Sequence, residues 1–324
     1  MVFSHAVVTG GAGFVGARLC AQLLDEGCAV TAVDNFVTAL PGALDELAGR
    51  SGFTVLEHDV TEPIPVADAP DVVFHLASPA SPRDYLDRPV ETLRAGALGT
   101  EHALALAAGA RFVLASTSEV YGDPLEHPQR ETYWGNVNPI GPRSVYDEAK
   151  RYAEALTFAM RRSRGANTGV ARIFNTYGPG MRPGDGRMIP AFLTQALSGQ
   201  PLTVAGTGAQ TRSLCYVDDT VRGLLALASS AHSGPVNLGN PHEMSVREIA
   251  EYVIALTGSR SSIVHVAAAV DDPHRRCPDI TLARRVLGWA PTVAAGEGLR
   301  RTADWFAAAV SSDVLGFPAQ SVYP

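Results

Sequence analysis

A glycine-rich turn near the start of the chain limits the possible folds more than any other feature. The segment Thr9-Gly-Gly-Ala-Gly-Phe-Val-Gly16 follows a short apolar run and opens a stretch rich in Ala and Leu. Between a strand and a helix, Gly10, Gly13 and Gly16 permit a tight turn, a close backbone approach to a pyrophosphate and close helix–strand packing. The helix start would add free amides and a positive dipole end. Glycines suit any tight turn, but this position between strand and helix predicts a dinucleotide-binding site.

Strand-like runs alternate with helix-like stretches through the first half of the chain. Most of the runs are apolar throughout, which is typical of parallel strands covered by helices on both faces. This alternation predicts an α/β fold with a doubly wound parallel sheet, a Rossmann-like domain over residues 1–177. The strand-like runs cover residues 5–9, 28–33, 53–57, 71–76, 111–116 and 168–173, and the helix-like stretches include 16–26, 88–108 and 146–164.

The pattern changes after about Asn175. Turn-forming clusters at 178–180 and 183–186 are followed by scattered short apolar runs at 202–205, 236–238 and 263–266. We expect residues 178–311 to form a smaller C-terminal α/β lobe that binds substrate, with some segments returning to the first domain. Residues 312–324 are expected to form a poorly ordered tail.

Composition excludes several classes of partner. The formal net charge of −7 argues against a nucleic-acid surface, which needs a basic face. No stretch approaches the ~20 apolar residues that span a bilayer, and the first residues lack the basic region of a signal peptide. The four cysteines show no metal or redox spacing, so we expect reduced structural thiols in a cytoplasmic protein without a metal.

An acid at the end of the second predicted strand favours NAD as the cofactor. Asp34 stands where a carboxylate accepts hydrogen bonds from the ribose hydroxyls and repels the 2′-phosphate of NADP. No Arg follows at once, since the next residues are Asn35-Phe-Val-Thr38. Asp59, after the third predicted strand, would lie near the adenine or form a solvated loop acid.

Tyr146 and Lys150 form a candidate catalytic pair. Residues four apart share one face of a helix, and an ammonium beside a phenol lowers the pKa of the phenol from near 10. Tyr146 is therefore a candidate base for a sugar hydroxyl during hydride transfer. The pattern is common on ordinary helices, but the glycine turn and Ser116-Thr-Ser-Glu119 at a predicted strand end add weight. The hydroxyls there could also serve as local caps.

These residues, together with several longer motifs, resemble the UDP-glucuronate decarboxylase family within the extended short-chain dehydrogenase superfamily. The resemblance extends from Ala6 to about Phe306. The glycine turn and the Tyr–Lys pair mark only the superfamily. The more specific motifs are His75-Leu-Ala-Ser-Pro-Ala-Ser-Pro82, Leu114-Ala-Ser-Thr-Ser-Glu-Val-Tyr-Gly-Asp-Pro124, Asn138-Pro-Ile-Gly-Pro-Arg143, Ala171-Arg-Ile-Phe-Asn-Thr-Tyr-Gly-Pro179 and Asp271-Asp-Pro-His-Arg-Arg-Cys-Pro-Asp-Ile280.

The resemblance implies a closed redox cycle. Tyr146 would remove the C4 hydroxyl proton while hydride passes to NAD, and the resulting 4-keto sugar would lose its C6 carboxylate as CO2. Protonation at C5 and return of the hydride would give UDP-xylose. Thr117 and Ser118 would hold the C4 oxygen, Glu119 would orient the sugar, and Arg276 would lie near the carboxylate. An acid facing that carboxylate would destabilise the ground state, and loss of CO2 would relieve the repulsion.

The resemblance also assigns binding residues and a homodimer built through the Tyr146 helix and its neighbour. Arginine suits phosphate through bidentate, charge-assisted bonds. Arg172 and Arg182 are left as possible structural ion-pair partners. The substrate set comprises Pro79, Ser81, Asn175, Arg187, Arg212, Arg275 and Arg276. The cofactor set comprises Gly10, Gly13, Phe14, Val15, Gly16, Asp34, Asn35, Phe36, Thr38, Asp59, Val60, Leu76, Ser78, Arg94, Tyr146 and Lys150.

Two departures from the family concern retention of the cofactor. Arg94-Ala-Gly-Ala stands where the family usually has Lys-Thr-Asn-Thr, although Arg94 could still meet the NAD pyrophosphate. Ala39 replaces a common Gly in the loop after Asp34. If NADH escaped before the second hydride transfer, the enzyme would release UDP-4-keto-xylose.

Two other kinds of function remain open at this point. A nucleotide-sugar 4-epimerase or 4,6-dehydratase shares the glycine turn and the Tyr–Lys pair. An epimerase has no need of the arginine in the 271–279 segment, and a 4,6-dehydratase would want an acid pair where Thr117-Ser-Glu119 holds one acid. A non-catalytic NAD-sensing regulator would have no use for Tyr146, Lys150 and Thr117 together.

Overall fold

The structure, a computed structural model, describes residues 3–268 and 270–311, so the tail expected at 312–324 lies outside the described residues. Two short turns interrupt the regular elements, a π-helical turn at Ala95–Gly99 and a 3-10 turn at Ser118–Tyr121. In chain order the elements are β1 (His5–Thr9), α1 (Phe14–Asp25), β2 (Ala29–Asp34), β3 (Phe53–Glu57), β4 (Val72–His75), α2 (Pro82–Asp87), α3 (Pro89–Arg94), α4 (Thr100–Leu106), β5 (Arg111–Thr117), α5 (Ser144–Arg164), β6 (Thr168–Ile173), β7 (Thr176–Tyr177), α6 (Met188–Leu197), β8 (Leu202–Ala205), β9 (Thr211–Ser213), β10 (Cys215–Tyr216), α7 (Val217–Ala228), β11 (Pro235–Leu238), β12 (Glu243–Ser245), α8 (Val246–Thr257), β13 (Ile263–Val266), α9 (Thr281–Leu287) and α10 (Ala295–Ser311).

Seven strands form one parallel sheet in the order β11-β6-β5-β4-β1-β2-β3. The predicted Rossmann-like, doubly wound sheet is confirmed. The chain runs from β1 to β2 and β3 on one side and then crosses to β4 on the other. Ligands in such sheets bind at this switch, beyond the carboxyl ends of β1 and β4. Every residue of β4 and β5 is buried, as their apolar runs predict.

One strand of the 178–311 region returns to the main sheet, although the sequence did not show which run would do so. The run at 236–238 falls among the short runs of the predicted smaller lobe, yet β11 pairs in parallel with β6 at the edge of the main sheet. Val236 and Leu238 are fully buried there. An apolar run of four residues does not reveal which sheet it joins, because the partner strand decides this.

The smaller lobe is built from short strand pairs and three helices. β8 pairs with β13, β9 with β12, and helices α6, α8 and α10 contact one another. Its apolar residues share one continuous core with helix α1 and the main sheet, including Leu19, Val221, Phe192, Ile249 and Phe306. This shared core fixes the smaller lobe against the carboxyl-terminal half of the sheet. Within the described residues, no helix combines the length and the apolar character that a bilayer crossing requires.

The helix predicted over 88–108 is divided by the π-helical turn at the position of the family departure. Gly96 lies against Ala149 of α5, and a Cβ on Gly96 would stand 2.7 Å from the Ala149 Cβ. The Thr100 hydroxyl donates to the Gly96 carbonyl oxygen at 2.7 Å. Glycine therefore allows the segment that follows α3 to lie directly on the helix that carries Tyr146.

Replacing Gly96 with Ala should lower the free energy of unfolding by about 1–3 kcal/mol, the usual cost of an added methyl in a filled contact. Chemical denaturation followed by circular dichroism measures the difference. Glu101→Ala, at an exposed position of α4, is the control and should change stability by less than about 0.5 kcal/mol. Equal stabilities for Gly96→Ala and the wild type would contradict the close contact.

Candidate active site

The glycine turn forms a cradle at the carboxyl end of β1. Gly10 has a φ of +71°, and a Cβ there would stand 2.7 Å from the backbone nitrogen of Ala77. A Cβ on Gly16 would overlap the Gly10 carbonyl. Helix α1 begins after Gly13 without a side-chain cap, so the first amides, at Phe14 and Val15, remain available to an anion. The residues therefore fit a dinucleotide pyrophosphate.

Asp34 joins this turn to the end of β2. Its Oδ2 accepts from the Ala12 amide at 2.9 Å, and its Oδ1 accepts from the Phe36 amide at 2.8 Å. Burial raises the pKa of the Asp34 carboxyl, and these amide bonds oppose the rise. The carboxylate has further acceptor capacity for a ribose hydroxyl.

The loop after β2 and the loop after β3 meet beside Asp34. The side-chain amide of Asn35 donates through Nδ2 to Asp59 Oδ2 at 3.1 Å. Burial would raise the pKa of Asp59, but hydrogen bonds from Thr61 and Asn35 outweigh it and lower the pKa. Phe36 is exposed in the left-handed region, and Thr38 is half-buried. Asp59 is thus a hydrogen-bonded carboxylate at the cofactor edge of the sheet.

The residues after β4 form the opposite wall. The Leu76 amide donates to the Thr9 carbonyl at 3.0 Å, which places Leu76 and Ser78 beside the glycine turn. Val60 is buried against Gly99, whereas Arg94 is exposed at the end of α3.

Two predicted substrate residues, Pro79 and Ser81, follow on this wall, and each makes a local hydrogen bond. The Ser81 hydroxyl caps α2: it accepts from the Asp84 amide at 3.2 Å and donates to the Asp84 carboxylate at 2.6 Å. Pro79, two residues earlier, is half-buried and accepts through its carbonyl a hydrogen bond from the Ser78 hydroxyl at 3.4 Å.

Tyr146 and Lys150 lie on one face of α5, both buried, at the carboxyl end of β5. The Tyr146 ring stacks on Tyr85 with centroids 5.3 Å apart, and Thr117 lies close enough to lower the pKa of its phenol. The Lys150 Nζ donates to the Ala115 carbonyl at 2.9 Å and lies 5.8 Å from the Tyr146 ring centroid. The fold therefore brings the predicted base, its ammonium neighbour and the strand-end threonine together.

The pKa shift expected for Tyr146 is not observed. Burial raises the pKa of the phenol, and the negative charge of Glu119 adds to the rise. Burial also lowers the pKa of Lys150 to about 8. The spacing alone predicted that Lys150 would lower the pKa of Tyr146. The Lys150 Nζ is instead directed to the Ala115 carbonyl, and burial desolvates both groups. Within the chain, Thr117 and Arg187 are the neighbours that lower the phenol's pKa.

The hydroxyls at the end of β5 have different partners. Ser116 donates to Glu154 at 2.6 Å, and Glu154 pairs with Arg172, so this group is structural. Thr117 caps the 3-10 turn by accepting from the Glu119 amide at 3.2 Å. Ser118 is buried at the start of that turn. Thr117 therefore caps the 3-10 turn and also lies beside Tyr146.

A charged cluster lies beside Tyr146. Glu119 pairs with Arg276 through both carboxylate oxygens and with Arg143 at 2.7 Å. Asp272 joins Arg212 at 2.7 Å and approaches Arg143 at 3.8 Å. Burial would raise the pKa of Glu119, but Arg143 and Arg276 hold it far below the ordinary range. Three guanidinium groups face two carboxylates, so the cluster carries one net positive charge.

In the structure Glu119 is not a lone acid that would face a substrate carboxylate, because Arg143 and Arg276 both bind it. The motif Asn138-Pro-Ile-Gly-Pro-Arg143 contained the missing partner, but nothing in its spacing assigned a role to Arg143.

Asp147 was also missed: it is buried, and its Oδ1 has no hydrogen-bond partner among the described residues. Burial, then the charge of Glu119, raises the pKa of Asp147 to about 7.

The predicted nucleotide-binding residues have three kinds of surroundings. Arg187 precedes α6 and contacts Asp185 at 3.3 Å, and Arg275 is exposed. The Asn175 side-chain oxygen is buried with no hydrogen-bond partner in the described part of the chain. It could accept a hydrogen bond from a donor group of a ligand. Arg172 and Arg182 are ion-pair partners of Glu154 and Asp84.

Comparison with known proteins adds to this geometry. The model of the NAD dependent epimerase/dehydratase family matches residues 6–239. The chain is 49% identical over 302 residues to UDP-glucuronic acid decarboxylase 1 of Danio rerio, covering 93% of this chain and 72% of that protein. It is 50% identical over 297 residues to UDP-glucuronic acid decarboxylase 1 of Arabidopsis thaliana, covering 91% and 68%.

A solved structure shares the fold at lower identity. The UDP-glucuronic acid 4-epimerase of Bacillus cereus, solved with UDP-glucuronic acid and NAD, superposes with a TM-score of 0.82 at 25% identity. The match covers 93% of this chain and 98% of the epimerase. The fold is thus common to enzymes with different outcomes, and the site residues must separate them.

Replacing Asp34 with Ala should weaken NAD binding by about 1.5–3 kcal/mol, the usual value of hydrogen bonds to a charged acceptor. Fluorescence titration with NAD measures this loss. Glu57→Ala is the matched control, because Glu57 is an exposed acid opposite Asp34 on β3. Unchanged affinity for NAD in Asp34→Ala, or a wild-type preference for NADP, would refute the role of Asp34.

Proposed function

The chain belongs to the NAD dependent epimerase/dehydratase family, and from that premise we propose that it is an NAD-dependent decarboxylase that converts UDP-glucuronate to UDP-xylose. The observation that carries the proposal is the cluster of Glu119, Arg143 and Arg276 beside Tyr146. Identity of about one half to decarboxylases of an animal and a plant supports it.

The glycine cradle, the amides of α1 and Asp34 would hold NAD, with Asn35, Asp59, Leu76 and Ser78 along its edges. When bound there, NAD would supply reversible hydride transfer at C4 of the sugar. The protein's own task is to place C4 beside the Tyr146 hydroxyl and to keep water away. Burial of Tyr146 and Lys150 serves that second purpose.

Tyr146 and Thr117 would share the C4 oxygen. Tyr146 accepts the hydroxyl proton while hydride leaves C4, and Thr117 maintains a hydrogen bond to the same oxygen. Cationic charge must offset the phenolate, and Lys150 and Arg187 are the cations nearby. When CO2 leaves, the electron pair of the broken C5–C6 bond moves toward the C4 ketone. The hydroxyls of Tyr146 and Thr117 would stabilise the resulting enolate oxygen.

The charged cluster would receive the C6 carboxylate. Its net positive charge suits an anion, but Arg276 is already bound by Glu119 through both oxygens. We therefore assign to Arg276 an exchange of partner, from Glu119 to the substrate, while Arg143 continues to hold Glu119. The uncharged CO2 has no such attraction for Arg276, so its loss lets the original ion pair re-form.

The uridine diphosphate would lie across the smaller lobe. Asn175 supplies the unpaired amide oxygen, and the half-buried Arg187 and the exposed Arg275 supply positive charge for the phosphates. Arg212 acts from within the cluster, because its guanidinium is bound to Asp272 and to the Thr211 carbonyl.

The similarity to the Bacillus cereus epimerase makes 4-epimerisation the second candidate. The fold and Tyr146 suit both reactions, since both oxidise C4. We favour decarboxylation because Arg276 is placed to exchange Glu119 for the carboxylate and to return after its loss, and because the relatives of about 50% identity are decarboxylases. A non-catalytic NAD sensor is disfavoured, because it would have no use for Tyr146, Lys150 and Thr117 buried together at one site.

We also propose a cytoplasmic homodimer. The exposed apolar residues Val90 and Leu93 on α3 and Tyr152 on α5 support an interface through these helices. All four cysteines are free thiols, which is typical of a reducing compartment.

Tyr146→Phe and Lys150→Ala should each lower turnover of UDP-glucuronate by roughly 10²–10⁴-fold, because both remove parts of the proton-transfer pair. Steady-state assays measure the loss, and circular dichroism verifies the fold. Tyr252→Phe is the control, since it makes the same change at an exposed position of α8, away from the site. A near-normal rate for Tyr146→Phe would remove Tyr146 as the base.

Incubation with UDP-glucuronate should release CO2 and form UDP-xylose without net consumption of NAD. The departures at 94–97 lead us to expect a minor leak of NADH with UDP-4-keto-xylose. Mass spectrometry of the nucleotide-sugars identifies the products. A C4-epimerised uronate that retains its carboxyl group would favour the epimerase instead.

A further inference from the structure

Three metal-ligating side chains meet outside the proposed active site. His127 lies in the loop between the 3-10 turn and α5, Glu243 on β12, and Cys277 in the segment that carries Arg276. His127 Nε2 lies 3.0 Å from Glu243 Oε2, and the three ligand atoms all lie within 4.8 Å of one another. The fold thus joins residues whose spacing in the chain matches no metal motif.

Backbone contacts hold the three residues in place. The Gln129 amide donates to the Cys277 carbonyl, and the Cys277 amide donates to Gln129 Oε1, each at 2.8 Å. Glu243 is opposite Ser213 in the antiparallel pair of β9 and β12. The loop, the strand and the Arg276 segment therefore present their ligands from a connected backbone.

The donor set is one nitrogen, one carboxylate oxygen and one sulfur. Zn²⁺ binds all three types at roughly 2.0–2.3 Å in tetrahedral sites, whereas Ca²⁺ and Mg²⁺ require oxygen ligands. Cys277 is buried and its thiol contacts the Pro241 carbonyl, while His127 is partly exposed and gives an ion a path from solvent.

We propose that His127, Glu243 and Cys277 bind one Zn²⁺, with a water molecule in the fourth position. The thiol gives up its proton to solvent as the sulfur–zinc bond forms. The charge of the ion holds the sulfur as a thiolate. The bound ion fastens the Arg276 segment to β12 and to the loop, and it stabilises the folded chain by mass action.

Titration of the metal-free full-length protein with Co²⁺, followed by displacement with Zn²⁺, tests the proposal. We expect one Co²⁺ per chain, a thiolate-to-cobalt charge-transfer band and loss of that band on addition of Zn²⁺. Zn²⁺ should also raise the melting midpoint. Cys277→Ser should abolish the band, and Cys28→Ser, which alters another buried thiol, should retain it.

His127→Gln provides a second variant, because a change at this partly exposed side chain leaves the buried core intact. Loss of a neighbour of a metal ligand costs roughly 10–100-fold in affinity, so loss of the imidazole should cost at least tenfold. Glu243→Gln should also lower the affinity for the metal ion. A wild-type protein without the band, a band that persists in Cys277→Ser, or unchanged affinity in His127→Gln overturns the proposal.

Discussion

The pairing of Glu119 with Arg143 and Arg276 connects the parts of the molecule on which the site depends. Glu119 follows the central strand β5, Arg143 precedes α5, and Arg276 belongs to a segment of the smaller lobe. Loss of one partner of a buried ion pair costs about 3–5 kcal/mol, so this group strongly favours one arrangement of the three segments. In the proposed function, its arginines would receive the substrate carboxylate beside Tyr146.

Local spacing predicted the features that depend on neighbours in sequence. The glycine turn, the acid at the end of β2 and the Tyr146–Lys150 pair each follow from a few adjacent residues and the geometry of one strand or helix. The structure places them at one edge of the sheet, as the topology of parallel strands requires.

Features that depend on distant partners could not be predicted in this way. The pKa of Tyr146 depends on burial and on Glu119, neither of which the helix pattern contains. β11 joins the main sheet because its partner is β6, and the π-helical turn exists because Gly96 meets Ala149. The cluster of His127, Glu243 and Cys277 is likewise a product of tertiary contacts.

The central claim is that Arg276 and Glu119 serve loss of the carboxylate, whereas Tyr146 and Lys150 serve oxidation at C4. The most direct measurement follows NADH absorbance and CO₂ release together in single turnovers of Arg276→Ala with UDP-glucuronate labelled at C6. Arg143 still pairs with Glu119 in this variant. The account predicts that NADH forms while CO₂ release slows by orders of magnitude. Release of CO₂ at the wild-type rate, or loss of NADH formation with retained fold, would contradict it.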